Sequence, residues 1–374
     1  MADRSKIEWT DASWNPIRAR NLKTGKVGWH CEHATTGCEH CYSEGFNKRF
    51  GTGLPFKPGH RKDIEIFLDE QMLTQPLRWK KPRKIFVCSM TDAFADFVTD
   101  QMLDKMFAVM ALAPQHTFQV LTKRAGRMKK YFDRYDGGRD HNCADFVADA
   151  VAVLLGKPGA RGADRYNGKS PAWPLPNVWL GVSAERQQEA NERIPELLAT
   201  PAAVRFVSIE PMLDRISLHA INLGTREPLD ALRGVQCVPD DSADGDHNKP
   251  IAKLDMVIVG GESGAKARPV HPLWVRDFRD WCKTTDVAFF FKQWGEFLPW
   301  SQFNGAAIED HPEQTRFRTM EWEDGRWNDV GFPMWCDTVD GNIDDEQCVG
   351  RVGKAKAGRL LDGVEHSAFP KVPA

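Results

Sequence analysis

A chain of 374 residues is long enough for one large domain or two ordinary ones, and 41% hydrophobic with 27% charged residues is a globular composition. The formal net charge of −2 gives no overall nucleic-acid signature, although 78–84 and 123–134 are locally basic. No apolar run of about 18 residues occurs and the N-terminus lacks the apolar core of a secretion signal, so we expect a cytoplasmic protein without a membrane span. Nine cysteines in such a chain indicate a reducing compartment.

Seven short apolar runs, rich in Val, Ile or Phe, predict buried β-strands. In chain order they are 13–19, 84–92, 117–124, 177–185, 204–211, 255–264 and 287–295. Amphipathic patterns between some of these runs predict helices over 99–112, 185–199 and 272–283. This alternation is typical of an α/β protein with a parallel sheet. Repeated right-handed crossovers would curl the sheet into a partial or complete (β/α) TIM-like barrel, with a doubly wound open sheet as the competing arrangement.

Two long Gly-rich stretches, about 136–174 and 222–252, interrupt this alternation and predict loop insertions. The alternation stops after residue 296, and the remainder is rich in Trp, Asp and Gly. The sequence therefore predicts a barrel domain over 1–296 and a C-terminal extension or cap over 297–374.

Polar residues follow almost every predicted strand. In a barrel or an open α/β sheet the carboxyl ends of the strands meet at one edge, where ligands bind, so we expect these side chains to gather there. Each of them alone would also suit a turn or a helix cap. Paired glycines after the sixth strand would let backbone approach a ligand. The strand-end residues are Ser89, Thr91, Asp92, Thr122, Lys123, Ser183, Glu185, Ser208, Glu210, Gly260, Gly261, Glu262, Lys292 and Gln293.

Three cysteines, Cys31, Cys38 and Cys41, follow the first predicted strand with the spacing Cys-x6-Cys-x2-Cys. Three histidines lie among them, at His30, His33 and His40. A histidine could complete a structural Cys3His zinc site. Three thiolates could instead hold a 4Fe–4S cluster and leave one iron without a protein ligand. The spacing leaves zinc, a cluster and unligated thiols open.

Cysteine triads after the first strand of a partial (β/α) barrel are the mark of radical S-adenosylmethionine enzymes. The chain resembles more closely a family of phage and prophage proteins of uncharacterised role that carry a three-cysteine, radical-SAM-like motif. The similarity runs over most of the chain and includes "KIEWTDASWNP" (6–16), "GCEHCYSE" (37–44), "SMTDAFADFV" (89–98), "VIVGGESGAKARPVHP" (257–272) and "GRLLDGVEH" (358–366).

The resemblance implies that Cys31, Cys38 and Cys41 ligate three irons of a 4Fe–4S cluster whose fourth iron binds S-adenosyl-L-methionine. A reductant such as flavodoxin or ferredoxin would supply an electron, and a 5′-deoxyadenosyl radical would attack the substrate. A phage enzyme of this kind would modify a nucleobase, a nucleotide or phage DNA, as an isomerase, mutase or transferase in a bacterial or phage-infected cytoplasm. The first cysteine gap departs from the usual three residues.

The same resemblance implies the residues that would contact the cofactor and the substrate. The usual Gly-Gly-Glu segment after the second strand is replaced here by 89–92, and a Gly-Gly-Glu appears only after the sixth strand. The expected cofactor contacts are Tyr42, Ser89, Thr91, Asp92, Ser183, Glu185, Glu210, Gly260, Gly261 and Glu262. The expected substrate contacts are Lys123, Lys292 and Gln293, and no catalytic residue is predicted.

Two other functions compete with this hypothesis. A zinc-stabilised nucleic-acid-binding protein without catalysis would use one of the three histidines and the basic stretches. A hydrolytic barrel enzyme would use Asp92, Glu210 and Glu262 as acid, base or metal ligands. Separate mutation of each histidine would distinguish zinc from a three-cysteine cluster.

Overall fold

The structure is a computed structural model that describes residues 5–136, 141–160, 172–225, 227–238, 247–302, 319–331 and 347–371. Its helices are α1 (Tyr42–Phe50), α2 (Glu70–Leu73), α3 (Asp100–Leu112), α4 (Ala125–Phe132), α5 (Cys143–Leu154), α6 (Gln187–Leu198), α7 (Pro272–Thr285) and α8 (Lys354–Ala357). Short 3-10 turns cover Thr36–Cys38, Pro58–Asp63, Gln75–Arg78 and Trp300–Gln302.

The strands divide into one large parallel sheet and several small antiparallel ones. In chain order they are β1 (Ala12–Trp14), β2 (Ile17–Asn21), β3 (Val27–Gly28), β4 (Ile64–Leu68), β5 (Lys84–Val87), β6 (Thr117–Thr122), β7 (Tyr135–Asp136), β8 (His141–Asn142), β9 (Val178–Ser183), β10 (Val204–Ile209), β11 (Leu229–Asp230), β12 (Val235–Val238), β13 (His247–Pro250), β14 (Met256–Gly260), β15 (Ala288–Gln293), β16 (Phe297–Pro299), β17 (Thr319–Glu323), β18 (Arg326–Gly331), β19 (Cys348–Arg351), β20 (Leu360–Leu361) and β21 (Val364–Glu365).

The large sheet has seven parallel strands in the order β1-β5-β6-β9-β10-β14-β15 and curls into a half-barrel. Its strands coincide with the seven predicted runs, so the predicted α/β class with a partial (β/α) barrel is confirmed. The order across the sheet is the order along the chain, whereas a doubly wound sheet reverses direction at a switch point. β9, β10 and β14 are buried along most or all of their length, as parallel strands covered on both faces must be.

The first predicted strand, 13–19, breaks into two strands. β1 pairs in parallel with β5, whereas β2 pairs antiparallel with β3 and β4 in a separate small sheet. Pro16 lies at the break and cannot donate a ladder hydrogen bond, which explains why one continuous strand does not form. The cysteines therefore follow β1 through the β2–β3 hairpin.

Two predicted helices illustrate why these segments are helical. In α3 the Thr99 hydroxyl accepts a hydrogen bond from the Met102 amide at 3.2 Å, and the predicted apolar face is buried. Each large side chain on that face contributes roughly 1.5–3 kcal/mol to stability. In α7 the His271 ring caps the first turn and Pro272 occupies its first position, where a missing N–H costs nothing.

The chain divides into two compact units. The first comprises 1–183, 191–206 and 249–253, and the second 184–190, 207–248 and 254–374. In the first unit, α5 of the insertion 136–174 packs on α3. In the second, the insertion 222–252 contributes the three-stranded sheet β11-β12-β13. The predicted domain boundary at residue 296 stays a prediction.

The part after residue 296 is antiparallel where the structure describes it, with a sheet of order β16-β19-β17-β18. A C-terminal strap, residues 360–368, runs along β15: the Phe291 amide donates to the His366 carbonyl at 3.0 Å, and the Ala368 amide donates to the Phe289 carbonyl at 3.2 Å. The strap thus covers backbone groups that a sheet edge would otherwise expose. No helix within the described ranges combines the length and the apolarity that a membrane crossing needs.

Candidate functional site

The three cysteines of the first unit lie on one loop that follows β3 and ends at α1. Cys38 closes the 3-10 turn 36–38 and Cys41 is the residue that precedes the first turn of α1. Cys31 packs against an apolar cluster of Trp29, Phe56 and Met90.

The start of α1 is attached to the end of β5. The Tyr42 hydroxyl and the Ser43 hydroxyl both donate to the Ser89 carbonyl, at 3.0 and 3.1 Å. The Ser89 hydroxyl in turn pairs with the Asn15 carboxamide, which also accepts from the Met90 amide at 2.9 Å. Tyr42 and Ser89, two predicted cofactor contacts, are therefore brought next to the cysteine loop, and their hydrogen bonds hold that loop.

Asp92 lies buried at the end of β5 and binds groups at the end of β6. Its carboxylate accepts from the Thr122 hydroxyl at 2.7 Å, the Lys123 amide at 3.0 Å and the Arg124 guanidinium at 3.0 Å. The Phe94 amide donates to the same carboxylate at 2.9 Å. Both oxygens are thus engaged within the protein, so Asp92 joins the strand ends; a direct contact with a cofactor stays a prediction.

Burial and nearby charges affect the pKa values of two thiols at this site. Burial raises the pKa of the Cys31 thiol to about 12; the nearby Asp92 charge adds to the rise, Arg124 opposes it and Cys41 adds to it. In the metal-free protein Cys31 is therefore a neutral thiol at pH 7, and a metal that binds it must displace a proton. Cys88, buried beside this group with a φ of +59°, also has its pKa raised by burial and by Asp92.

Lys123 lies close to Cys38 and Cys41, and Arg193 lies close to Lys123. Burial lowers the pKa of Lys123; negative charge on Cys38 and Cys41 would oppose that effect, whereas Arg193 reinforces it. Arg193 is buried in α6 and donates to the Ser183 carbonyl at 2.7 Å. Two positive charges that lie close together and are partly shielded from water favour an anion beside them.

Two of the three histidines have carboxylate partners. His33 lies 2.7 Å from Glu44, which also binds Lys48 at 3.0 Å. Burial alone would raise the pKa of Glu44, but the hydrogen bonds from Lys48 and His33 outweigh it, and the pKa lies below its ordinary value. His30 is buried with its Nε2 atom 3.5 Å from Glu32, and burial lowers its pKa.

Buried polar atoms without hydrogen-bond partners flank Cys31. Within the described ranges they are Trp29 Nε1, His30 Nε2 and Glu32 Oε1. The 3.5 Å separation of the last two is an electrostatic contact rather than a hydrogen bond. A buried polar atom without a hydrogen bond lowers the free energy of unfolding by about 1–3 kcal/mol. A bound group that formed hydrogen bonds with these atoms would therefore stabilise the loop.

In the second unit, the strand ends hold a compact ion pair. Lys292 of β15 lies 2.7 Å from the Glu210 carboxylate, and the Ser208 hydroxyl donates to the other oxygen at 3.2 Å. A Cβ on Gly260 would come within 2.9 Å of Glu210, so the glycine makes room for this carboxylate. Gln293 adjoins Lys292 along an extended strand, where successive side chains point to opposite faces.

The Gly-Gly-Glu segment after β14 packs backbone against backbone. A Cβ on Gly261 would lie 2.0 Å from the Trp294 carbonyl, and one on Gly295 would lie 2.1 Å from the Glu262 carbonyl. Glu262 forms a two-point ion pair with Arg268, with both distances 2.8 Å. Gly261 and Glu262 thus have close structural partners. Glu185 is buried in the same unit, and its carbonyl accepts from the Leu213 amide at 2.9 Å.

Sequence reasoning missed several residues that build the cysteine site. Arg193 lies inside a helical pattern that carries no sign of a site, and Asn47 inside α1 joins the Trp29 amide at 3.0 Å to Thr52 and Leu54. Arg124 is the last residue of the predicted run 117–124, and that position was the available signal. In the described part of the chain no three His, Cys, Asp or Glu side chains are arranged as ligands of one metal ion.

The fold and the site define an α/β half-barrel protein with a cysteine loop beside the carboxyl ends of its first strands. The chain belongs to DUF5131, a family of proteins of unknown function, whose sequence model matches residues 4–370. No curated protein and no solved structure matches the chain.

Proposed function

We propose that this protein is a radical S-adenosyl-L-methionine enzyme that uses Cys31, Cys38 and Cys41 to hold a 4Fe–4S cluster. The observation that carries the proposal is the placement of three thiols on one loop beside the strand ends, with Lys123 close to two of them. A cuboidal cluster is wider than a single ion, so its ligands need not converge on one point.

The donor set fits a cluster better than a Cys3His zinc site. A Cys3His zinc site would also need a histidine; His33 and His30 have carboxylate partners in Glu44 and Glu32, which leaves His40 as the candidate for that ligand. A cluster needs only the three thiols and leaves one iron open. Cations beside the thiols would offset the negative charge of such a cluster and of a cofactor carboxylate.

The roles of the protein residues follow from the geometry. Trp29, Phe56 and Met90 shield Cys31 from water. Lys123 and Arg193 would hold an anionic group near Cys38 and Cys41. When bound, the cluster and S-adenosyl-L-methionine would supply reductive carbon–sulfur cleavage and a 5′-deoxyadenosyl radical for hydrogen abstraction, with the electron from a partner such as flavodoxin or ferredoxin.

A groove in the first unit, lined by four cations and three carboxylates, is the candidate site for a phosphate-bearing substrate. It has a volume of about 720 Å³ and lies along α4, which carries most of its cations. Tyr135, which is 63% exposed, offers a ring on which a base could stack. Three carboxylates also line the groove, so its excess of positive charge is small. The charged residues are Arg127, Lys129, Lys130, Arg134, Asp100, Asp133 and Glu196.

Anaerobic reconstitution tests the proposed function. We expect the purified protein to bind about four irons and four sulfides per chain, to absorb broadly near 400 nm and to release 5′-deoxyadenosine from S-adenosyl-L-methionine under dithionite. Cys38→Ser should lose the iron, whereas His40→Ala should keep it. A protein that takes up zinc, fails to bind iron and depends on a histidine would refute the proposal and support the zinc-stabilised alternative.

A further inference from the structure

We infer that Thr91 and Arg124 are positioning residues that fix Cys31 through hydrogen bonds that Cys38 and Cys41 do not share. The inference deepens the proposed function and rests on it for its purpose, since the position of Cys31 matters only if its thiol is a ligand. Side chains that follow strands of the large sheet would hold the first cysteine, whereas the other two would be held by their own turn and by helix α1.

The evidence is a pair of hydrogen bonds to the backbone on both sides of Cys31. The Thr91 hydroxyl donates to the His30 carbonyl at 2.5 Å, and the Arg124 guanidinium donates to the Glu32 carbonyl at 2.8 Å. The His30 carbonyl belongs to the peptide unit directly before Cys31, and the Glu32 carbonyl belongs to the peptide unit between Glu32 and His33, so the two bonds hold the backbone on both sides of Cys31. The donors come from segments that follow two different strands, β5 and β6.

Arg124 is itself held in place. One of its terminal nitrogens lies 3.0 Å from Asp92 while the other binds the loop carbonyl. Asp92 is fixed by the Thr122 hydroxyl and by the Lys123 amide. A continuous series of hydrogen bonds therefore runs from the ends of β5 and β6 to the first cysteine. A planar guanidinium can serve two partners in this way, which a lysine ammonium at the same position does less well.

Cys38 and Cys41 have a separate support. Cys38 is held within its own turn, where its sulfur accepts from the Ala34 amide at 3.5 Å. Cys41 begins α1, and the hydroxyls of Tyr42 and Ser43 attach that helix to Ser89. The six residues 32–37 connect the two supports. The long first gap, which departs from the usual motif, is thus a link between two separately anchored parts of one site.

Alkylation of the metal-free protein tests this assignment directly. The rate at which iodoacetamide modifies each cysteine would be measured by mass spectrometry in the wild type, Arg124→Met, Arg124→Lys and Thr91→Val. We expect Thr91→Val, which leaves every charge in place, to raise the rate at Cys31 about fivefold, the loss of one hydrogen bond, with little change at Cys38 and Cys41. Arg124→Met should raise the rate less, because loss of the guanidinium also raises the pKa of the Cys31 thiol, and iodoacetamide reacts with the thiolate. Arg124→Lys, which keeps a positive charge, should give a rate between those of the wild type and Thr91→Val.

Arg127→Met is the matched control, because Arg127 pairs with Asp100 and makes no bond to the cysteine loop among the described contacts. Equal rates at Cys31 in the wild type and in both Thr91→Val and Arg124→Met would overturn the inference, as would an equal rise at all three cysteines. A wild-type protein that binds no iron would instead refute the proposed function, while the alkylation pattern would still report whether Cys31 is anchored. Thr91→Val keeps the test valid if Arg124→Met fails to fold.

Discussion

The strand ends of the two units use polar residues in different ways. In the first unit, Asp92 and Arg124 extend from the sheet to bind a long loop, and Lys123 faces the thiols of that loop. In the second, Glu210 and Glu262 each pair with a cation of the same unit. Polar residues after a strand therefore do not by themselves identify a ligand site; the partner of each charge distinguishes loop positioning from internal packing.

The glycines sharpen the contrast. In the second unit, Gly261 and Gly295 allow two backbone segments to approach closer than a Cβ permits. That requirement explains the Gly-Gly-Glu segment as a packing motif without any ligand. In the first unit the cysteine site depends on side-chain hydrogen bonds, whose loss should affect the loop more than the sheet.

The largest expected effect is on stability in the second unit. Gly261→Ala places a methyl group 2.0 Å from the Trp294 carbonyl oxygen, and backbone must move to relieve the overlap. We expect the free energy of unfolding to fall by about 3 kcal/mol or more, as measured by urea denaturation. Gly126→Ala, whose added methyl meets nothing within 4 Å, is the control and should be neutral or stabilising. Equal stability of the two variants would contradict the packing role.

The second prediction separates the effect of a substitution on stability from its effect on metal binding. Asp92→Asn removes the charge that holds Arg124 and should cost roughly 3 kcal/mol together with most of the bound iron. Asp104→Asn is a matched variant, because Asp104 is also buried and pairs with Arg134. It should lower stability by a similar amount and leave iron binding intact. Equal loss of iron in both variants, normalised to folded protein, would mean that Asp92 acts only on stability.

A third and smaller effect concerns the ion pair of the second unit. Lys292→Met leaves the Glu210 carboxylate without its 2.7 Å partner and should cost about 1–2 kcal/mol. Glu210→Gln and the double variant complete a thermodynamic cycle in urea denaturation. A coupling free energy close to zero would show that the pair does not stabilise the unit and would return Lys292 and Glu210 to the group of candidate ligand contacts.

The smallest effect is a pH-dependent one in the C-terminal strap. Arg276 and Arg279 hold Asp362 at 2.8 and 2.6 Å. Burial alone would raise the pKa of Asp362, but these hydrogen bonds outweigh it and the pKa is lowered. The bonds therefore stabilise the strap above the unfolded pKa of about 3.9, and this contribution disappears as the pH falls through the lower folded value.

Hydrogen exchange of the amides that bind the strap measures this contribution. Asp362→Asn should speed exchange of the Phe291 amide at pH 7 by less than about fivefold, because the carboxylate is partly exposed. The difference from the wild type should shrink in acid. A difference that does not shrink as the pH is lowered would show that charge is not what holds the strap.

Much of the fold could be predicted from the sequence, because buried parallel strands appear as short apolar runs. These runs can be recognised along the chain without knowing which strands are in contact. Pro16 lies inside the first apolar run, but the transfer of β2 to another sheet depends on its pairing with β4, a distant segment. The cysteine loop could be recognised from its residues. Arg193 could not, since a buried cation inside a helical pattern looks like any solvated one until its neighbours are known.

The predicted roles of the strand ends show the same limit. Asp92 and Glu262 are both acidic residues at the end of an apolar run, and nothing in the sequence separates their roles. Only the partners do so: Asp92 binds Arg124, which reaches the cysteine loop, whereas Glu262 binds Arg268 six positions away. Charge pairing between segments is a property of the folded chain.

The central claim is that three cysteines hold a cluster with one iron open to S-adenosyl-L-methionine. Electron paramagnetic resonance of the anaerobically reconstituted, dithionite-reduced protein tests it most directly. We predict the signal of a reduced 4Fe–4S cluster whose g values shift when S-adenosyl-L-methionine is added, since the cofactor would bind the open iron. A protein without an iron–sulfur signal, or a cluster whose spectrum the cofactor leaves unchanged, would contradict the claim.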